Sequence, residues 1–362
     1  MCPGSIMGNP QYKESTGKRL QDETQELVQR FGRLNTLDDL IRLRAADAIQ
    51  EPILAYPKQS HNAAVEYEYF TGENLDCMID HAVCGLVEAG FKPVRCGRDF
   101  CSAMANARQP KEEEKIVALL TLSDIDMVVT FFALSRLGYT VMMLSPRLSG
   151  AACVSLLNTV GCDTIMYGQT PSIRATLGEI LQQNLVTVRP IIQRASPTER
   201  ADGPSFIMFQ GSRNGAARRQ RTALILHSSG STGTPKPLYL SHQAIMTHPL
   251  RGPGLTSFNT LPWYHLHGLS TAFQAMYKRK VAYMWDASLP LTTTSVVAAL
   301  EAAKPESVHG VPYLLQLLVD SDKGLEALRS CKLVTYAGSA CPDDLGDRLV
   351  AEGVNFGGYF GL

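Results

Sequence analysis

No stretch of this sequence stays apolar long enough to cross a bilayer. The most apolar window, residues 116–144, is broken by Asp124, Asp126 and Arg136, each of which costs about 2.5–3.5 kcal/mol at a membrane centre. The first twenty residues, MCPGSIMGNPQYKESTGKRL, hold no apolar core that could act as a secretory signal. Charge of either sign is not in excess: Lys plus Arg and Asp plus Glu both number 34. That balance argues against nucleic acid or an acidic membrane as a partner and favours a small molecule. No two cysteines are spaced C-x-x-C. The nine (Cys2, Cys77, Cys84, Cys96, Cys101, Cys153, Cys162, Cys331, Cys341) are odd in number and scattered, which reads as reduced, mostly buried thiols in a cytoplasmic protein. Cys96 and Cys101 are the closest pair, but no histidine lies near them in sequence, so a zinc knuckle is disfavoured and no metal ligands are assigned.

What is present is ample core material, 45% hydrophobic in 362 residues, enough for one large α/β domain or two. Residues 115–121 (KIVALLT) suit a buried strand, Ser123 or Asp124 can cap a helix running through Arg136, and Gly138 ends it. Residues 140–144 form a second strand, 148–159 a helix and 164–167 a third strand, the β-α-β-α-β pattern of a parallel sheet with helices on its faces. The alternation returns later, with strands at 280–284, 307–309 and 332–336 and helices at 292–303, 312–319 and 342–352. No exact internal repeat is visible. Residues 95–114 and 195–221 break the pattern and read as surface excursions or mobile loops.

Between a strand at 222–227 (TALILH) and another at 238–240 lies SSGSTGTPK. Glycines permit close approach, successive amides form a nest, hydroxyls donate hydrogen bonds and Lys236 adds charge, so a phosphate suits this loop. An ordinary Ser/Gly hairpin loop fits the composition equally well. It is not the Walker loop, because Pro235 separates Gly233 and Thr234 from the lysine and a strand follows where a helix should.

Residues 228–237, SSGSTGTPKP, resemble the signature loop of the adenylate-forming superfamily, which includes acyl-CoA synthetases, luciferases and the adenylation domains of nonribosomal peptide synthetases. Three more segments resemble later family motifs, in the family's order: LPWYHLHGL at 261–269, AGSACPDDL at 337–345 and YFGL at 359–362. Residues 131–149, FFALSRLGYTVMMLSPRLS, are similar to the fungal nonribosomal-synthetase-like branch, which includes adenylate-forming reductases. The resemblance runs from Leu34 to Leu362, leaving residues 1–33 as an N-terminal extension. It implies the large N-terminal part of the adenylate-forming fold: stacked mixed and parallel sheets with helices on their faces. It also implies ATP-dependent activation of a carboxylic acid as acyl-adenylate, with Mg2+, followed by transfer to a thiol, usually the phosphopantetheine of a carrier domain.

By motif match, Ser228, Ser229, Gly230, Ser231, Thr232, Gly233 and Lys236 would cradle the distal phosphates, with Thr232 and Lys236 acting in catalysis. His265 would flank the reacting carboxylate. Ala337, Gly338 and Ser339 would lie along the adenine and acyl pocket, Phe360 would offer a face to adenine, and Gly310 and Val311 would form pocket wall. His267 and His309 match no family role and read as satisfied core residues. Amino-acid-activating members carry an aspartate just after the matched histidine. Here that position is Leu266, which cannot balance a buried ammonium, so an aryl or aliphatic acid is favoured. The motif would continue beyond Leu362 with Thr-Glu, and the family's magnesium-holding Glu, ribose-binding Asp, hinge and C-terminal lysine domain are not in these 362 residues. The expectation is a chain that adenylates weakly or not at all alone. A non-catalytic nucleotide- or acyl-binding remnant is the alternative.

Overall fold

The computed structural model describes residues 10–58, 65–94, 114–196, 218–228 and 235–358. Short apolar runs bounded by turn residues become parallel strands, which need cover on both faces. One sheet has seven strands, in the order β13 (Phe356–Gly358), β12 (Leu333–Tyr336), β11 (Ser307–Gly310), β9 (Ser257–Asn259), β10 (Ala282–Met284), β1 (Pro52–Pro57) and β2 (Tyr67–Thr71). The other has six: β6 (Thr187–Pro190), β5 (Thr164–Tyr167), β3 (Ile116–Leu120), β4 (Thr140–Leu144), β7 (Thr222–His227) and β8 (Pro237–Ser241). All neighbours are parallel except β1 with β2 and β7 with β8.

The period-two alternation of strand side chains divides the six-stranded sheet between two cores. Val117, Leu119, Val141, Met143, Leu224 and Leu226 enter a central core, while Ala118, Leu120, Met142, Leu144 and Ile225 enter an outer one. Helices α2 (Leu37–Ala45), α3 (Gly72–Glu88), α4 (Ile125–Arg136) and α9 (Leu266–Tyr277) fill the central layer between the sheets. Helices α5 (Gly150–Val160) and α6 (Pro171–Gln183) cover the outer face of the smaller sheet. The larger sheet is covered by α10 (Thr293–Ala303), α11 (Pro312–Val319), α12 (Asp322–Ser330) and α13 (Asp343–Ala351). This is the stacked α/β architecture that the sequence predicts.

Several boundaries fall where the local chemistry places them. Strands at 140–144, 164–167 and 222–227 and the helix at 312–319 match their predicted residues. Asp124 caps α4 by accepting the Met127 N–H at 2.9 Å, and Gly138 follows at φ +87. The helix expected from residue 148 begins at Gly150, because Ser149 is its cap. Of the six cysteines among the described residues, Cys153, Cys162 and Cys331 are buried, Cys77, Cys84 and Cys341 are half-buried, and all are thiols. Most of the two excursions, residues 95–113 and 197–217, lies outside the described residues.

A repeat invisible in the residues is present in the backbone. β1 pairs with β2 across residues 58–66, and β7 pairs with β8 across residues 228–236, nine in each case. Pro57 faces Tyr67, and His227 faces Pro237. Both pairs shift register at the corresponding step, between Pro52 and Leu54 and between Thr222 and Leu224. The loop necks close alike, by Lys58 N–H to the Glu66 carbonyl at 2.8 Å and Ser228 N–H to the Lys236 carbonyl at 3.0 Å. Each second strand then runs into a helix capped by its last residue: Thr71 for α3, and Ser241 for α7 (His242–Met246), which the short α8 (His248–Arg251) follows. One of these matched hairpins carries the SSGSTGTPK loop.

Helix α1 (Pro10–Phe31) lies within the sequence's N-terminal extension. Its end is docked: Phe31 is buried, and the Tyr277 hydroxyl donates to the Gly32 carbonyl at 2.8 Å.

A buried charge cluster ties the central helices together. Arg136 on α4 has a fully buried side chain that reaches Asp38 on α2 at 2.7 Å, and Asp76 and Asp80 on α3 at 2.6 and 2.7 Å. Burial pushes the Asp38 carboxyl upward, but Arg136 and then Arg42 pull it down further, leaving it below the ordinary carboxylate value. Removing one member of a buried pair strands the others. Arg136→Met should therefore cost about 3 kcal/mol in urea denaturation; a loss under about 1 kcal/mol would show that water already satisfies the three carboxylates.

Candidate active site

The site is assembled at the carboxyl ends of the strands, where ligands of open parallel sheets bind. Its best-anchored segment is the turn at residues 261–265. Trp263 is fully buried and packs edge-on against Phe131, Phe132 and Phe273, with ring centroids 5.3–6.2 Å apart. Its backbone N–H donates to Ser123 Oγ at 3.0 Å. Asn259, also fully buried, accepts the Leu261 N–H at 2.9 Å and donates to the Gly268 carbonyl at 2.7 Å, joining the end of β9 to the start of α9. A Cβ on Gly268 would stand 2.4 Å from the Leu261 carbonyl oxygen, so only glycine lets the turn lie on this helix. The aromatic setting of the histidine thus resolves by position: Trp263 and Tyr264 are buried, and His265 is the exposed N-cap residue of α9.

The surroundings of His265 come from both sheets. Packing, and after it His227 at the end of β7 and Arg147 after β4, lower its pKa to about 4, so the ring is neutral at pH 7. Tyr264 is pushed up by burial and eased down by Arg147 and the Ser145 hydroxyl. Ser145 N–H donates to His227 Nε2 at 3.1 Å, joining the ends of β4 and β7. At the neck of the phosphate-loop candidate, Ser228 and Lys236 are exposed, and the Lys236 N–H donates to Ser228 Oγ at 3.3 Å. Ser229, Gly230, Ser231, Thr232 and Gly233 lie outside the described residues, as does Phe360.

On the larger sheet, the turns after β11 and β12 adjoin. Ala337 N–H donates to the Gly310 carbonyl at 3.1 Å, and Gly338, at φ +92, sits beside Val311. Ala337 and Gly310 are buried, Val311 is half-buried, and Gly338 and Ser339 are exposed. The structure therefore brings 310–311 and 337–339 together. Leu266 begins α9 and packs partly against the central core.

Beneath these turns runs a polar chain in which His267 and His309 are the satisfied histidines that the sequence predicts. Ser307 Oγ donates to the Thr256 carbonyl at 3.1 Å and so must accept from His309 Nε2 at 3.1 Å. His309 Nδ1 then accepts from Thr335 Oγ1 at 2.6 Å, and Thr335 accepts from His267 Nε2 at 3.3 Å. The one-proton hydroxyls fix the direction of the whole chain. No local motif announces it, because its members are joined only by strand pairing: His309 is in register with Thr335. His227, Ser145 and Asn259 were missed for the same reason.

Ser228 and Lys236 exposed at a hairpin neck, an exposed histidine at a helix start and two adjoining backbone turns are thus the described parts of the segments that the motifs single out. The AMP-binding enzyme family matches residues 100–362, more than half of the chain, and the chain belongs to that family. It is 29% identical over 257 residues to a non-canonical non-ribosomal peptide synthetase of Acremonium egyptiacum, covering 68% of this chain and 23% of that protein. It is 26% identical over 263 residues to an adenylate-forming reductase of Aspergillus terreus, covering 68% and 24%. The chain thus spans about a quarter of the length of these relatives. Among solved structures, it superposes on the N-terminal subdomain of Klebsiella oxytoca NpsA in complex with 3-hydroxybenzoyl-AMSN, with TM-score 0.65 and 14% identity over 90% of this chain and 72% of that one. The o-succinylbenzoate CoA synthetase MenE of Bacillus subtilis, in complex with its acyl-adenylate intermediate, gives TM-score 0.64 and 15% identity over 88% and 72%. These likenesses show the fold.

The buried chain gives stability an acid limb. Burial lowers the pKa of His309 to about 3 and of His267 to about 4. Above the ordinary imidazole value, about 6.5, folded and unfolded states are both neutral and these rings contribute no slope. Below it, the unfolded chain takes up protons that the folded rings refuse, so stability falls as pH drops toward 4. His309→Gln should flatten that limb in thermal melts between pH 7 and pH 4.5, while costing about 1–3 kcal/mol at pH 7 from the broken chain. An unchanged slope would show that His309 does not carry it.

Proposed function

We propose that this chain forms the nucleotide- and acid-binding core of an enzyme that activates an aryl or aliphatic carboxylic acid as its acyl-adenylate, for transfer to a phosphopantetheine thiol. The observation that carries this reading is the convergence of two sheets on one place. His227, the last residue of β7 before the Ser228–Lys236 neck, and Arg147 after β4 act on His265, which sits at the start of α9 beside the larger sheet. Family membership makes ATP and Mg2+ the expected partners in general.

In the reaction, a carboxylate oxygen of the acid attacks the α-phosphorus of ATP. A P–O bond forms, the bridge to the β-phosphorus breaks, and its electron pair leaves with pyrophosphate. Lys236 and the loop hydroxyls would neutralise that leaving charge, as phosphoryl-transfer sites do chiefly by position and charge. His265, neutral at pH 7, would orient the carboxylate by packing or hydrogen bonding without trapping it as an ion pair. The turns at 310–311 and 337–339 would wall the acyl and adenine ends. The described residues include no cluster of carboxylates, imidazoles and thiols suited to a metal, so no step is assigned to residues holding magnesium.

Leu266 supports a substrate without an α-ammonium group, since it offers no charge to balance one. The NpsA complex supports the reading further: an N-terminal subdomain of this fold holds a 3-hydroxybenzoyl ligand.

The test pairs nucleotide-dependent thermal stabilisation with acid-dependent pyrophosphate exchange, over a panel of aryl and aliphatic acids. Stabilisation with exchange is expected if this span suffices for the first half-reaction. Stabilisation without exchange marks a binding core only, and absence of both overturns the reading. Lys236→Ala should weaken ATP about tenfold or more in calorimetry and leave AMP nearly unchanged, because its charge is assigned to the distal phosphates. Equal losses for the two nucleotides would remove that assignment.

A further inference from the structure

The sequence offers Ser123 as a cap for α4, yet Asp124 takes that place. Ser123 is left without a local duty, and its side chain is used 140 residues away, where Oγ accepts the backbone N–H of Trp263 at 3.0 Å. Ser123 is 3% exposed and Trp263 fully buried, so the bond is shielded from bulk water. A buried N–H without an acceptor loses its hydration with no return, and this one has its acceptor in Ser123.

Three N–H groups of the 261–265 turn are held, each by a different part of the fold. Leu261 N–H donates to Asn259 at the end of β9 at 2.9 Å, and His265 N–H donates to the Pro262 carbonyl within the turn at 3.0 Å. Trp263, between them, is held by Ser123, which lies between β3 and α4 and so belongs to the smaller sheet. Ser123 also sits beside the buried Tyr56 hydroxyl of β1. One serine thus meets elements of both sheets. Only Tyr264 separates Trp263 from His265, the N-cap residue of α9, so a displacement of the Trp263 backbone reaches His265 with little chain to absorb it.

We propose that Ser123 is a positioning residue of this site: by holding the Trp263 N–H, its Oγ sets where His265 stands relative to the strand ends of the smaller sheet. The consequence for the reaction rests on the acyl-adenylating reading above; the placement of His265 does not. Ser123 acts from behind the turn, so its loss should slow acid-dependent pyrophosphate exchange and spare ATP affinity, which is assigned to Lys236 and the loop.

The first readout is His265 itself, in the full chain labelled with 15N on histidine, its signal assigned by its loss in His265→Asn. Packing is the main cause holding this imidazole's pKa down at about 4. When Ser123→Ala releases the turn, water reaches the ring and its titration should move up toward the ordinary value, about 6.5. Ser123→Thr, which keeps the oxygen, should titrate as wild type. Thr140→Val is the control for a merely structural loss. It removes an equally buried hydroxyl, which donates to the Thr222 carbonyl at 2.8 Å at the far end of β4, and should leave His265 unmoved. An unchanged His265 titration in folded Ser123→Ala overturns the proposal; water from the cavity of about 320 Å3 lined by Ser123, Tyr56 and Asp124 would then have replaced Oγ. Equal movement in Thr140→Val also overturns it, because any destabilisation would then suffice. If Ser123→Ala does not fold, Ser123→Cys, of nearly the same shape with a weaker acceptor, is read in the same way.

Exchange assays separate the two ideas. Ser123→Ala should slow exchange about tenfold to a hundredfold at saturating ATP, with calorimetric affinity for ATP held within about twofold. If His265 moves but wild type neither binds nucleotide nor exchanges, the acyl-adenylating reading falls and the positioning assignment stands. If wild type exchanges and Ser123→Ala matches it with His265 in place, only the positioning assignment falls.

Discussion

The arrangement depends on a guanidinium with no access to water. Arg136 sits in the central helical layer, and its charge is acceptable there only because Asp38, Asp76 and Asp80 converge on it from α2 and α3. That cluster fixes how three central helices stand relative to one another. The two sheets pack on the same layer, so its geometry sets the distance and angle between them. A site drawn from both sheets inherits its precision from this buried network.

The fold uses one hairpin twice and gives it different work. In both copies a central strand turns through nine residues into an antiparallel edge strand and then into a helix capped by its last residue. Backbone hydrogen bonds and register shifts are the same, while the loops, KQSHNAAVE and SSGSTGTPK, share almost nothing. Backbone geometry is satisfied by strand pairing and burial, so loop chemistry can vary without disturbing the frame. Chemistry at the second loop is then a matter of which side chains occupy an already formed neck.

The turn bearing His265 shows how a rigid frame presents an exposed side chain. Trp263 fills the aromatic core, Asn259 bolts the strand end to the helix, and Gly268 admits the close approach of backbone to backbone. The His265 side chain accepts no cap hydrogen bond and is left at the surface of this assembly. Packing around the ring, with His227 and Arg147 adding to it, keeps the imidazole uncharged.

The sequence by itself determined the alternation of strands and helices, several element boundaries and the family motifs. These are local: apolar runs such as TVMML, caps such as Asp124 and the SSGSTGTPK loop act within a few residues of themselves. The β1–β2 hairpin, β9 and helix α9 were not legible in advance, since β9 is three residues long and α9 is buried on most of its faces. Only the tertiary structure decided the Arg136 cluster, the His267–Thr335–His309–Ser307 chain and the Ser145–His227 contact. Their members lie tens of residues or more apart in the chain, apart from neighbouring pairs such as Ser307 and His309, and meet through strand register and helix packing. Hydrogen bonds and ion pairs of that kind leave no periodicity in a sequence, because each depends on where two distant backbones have already been placed.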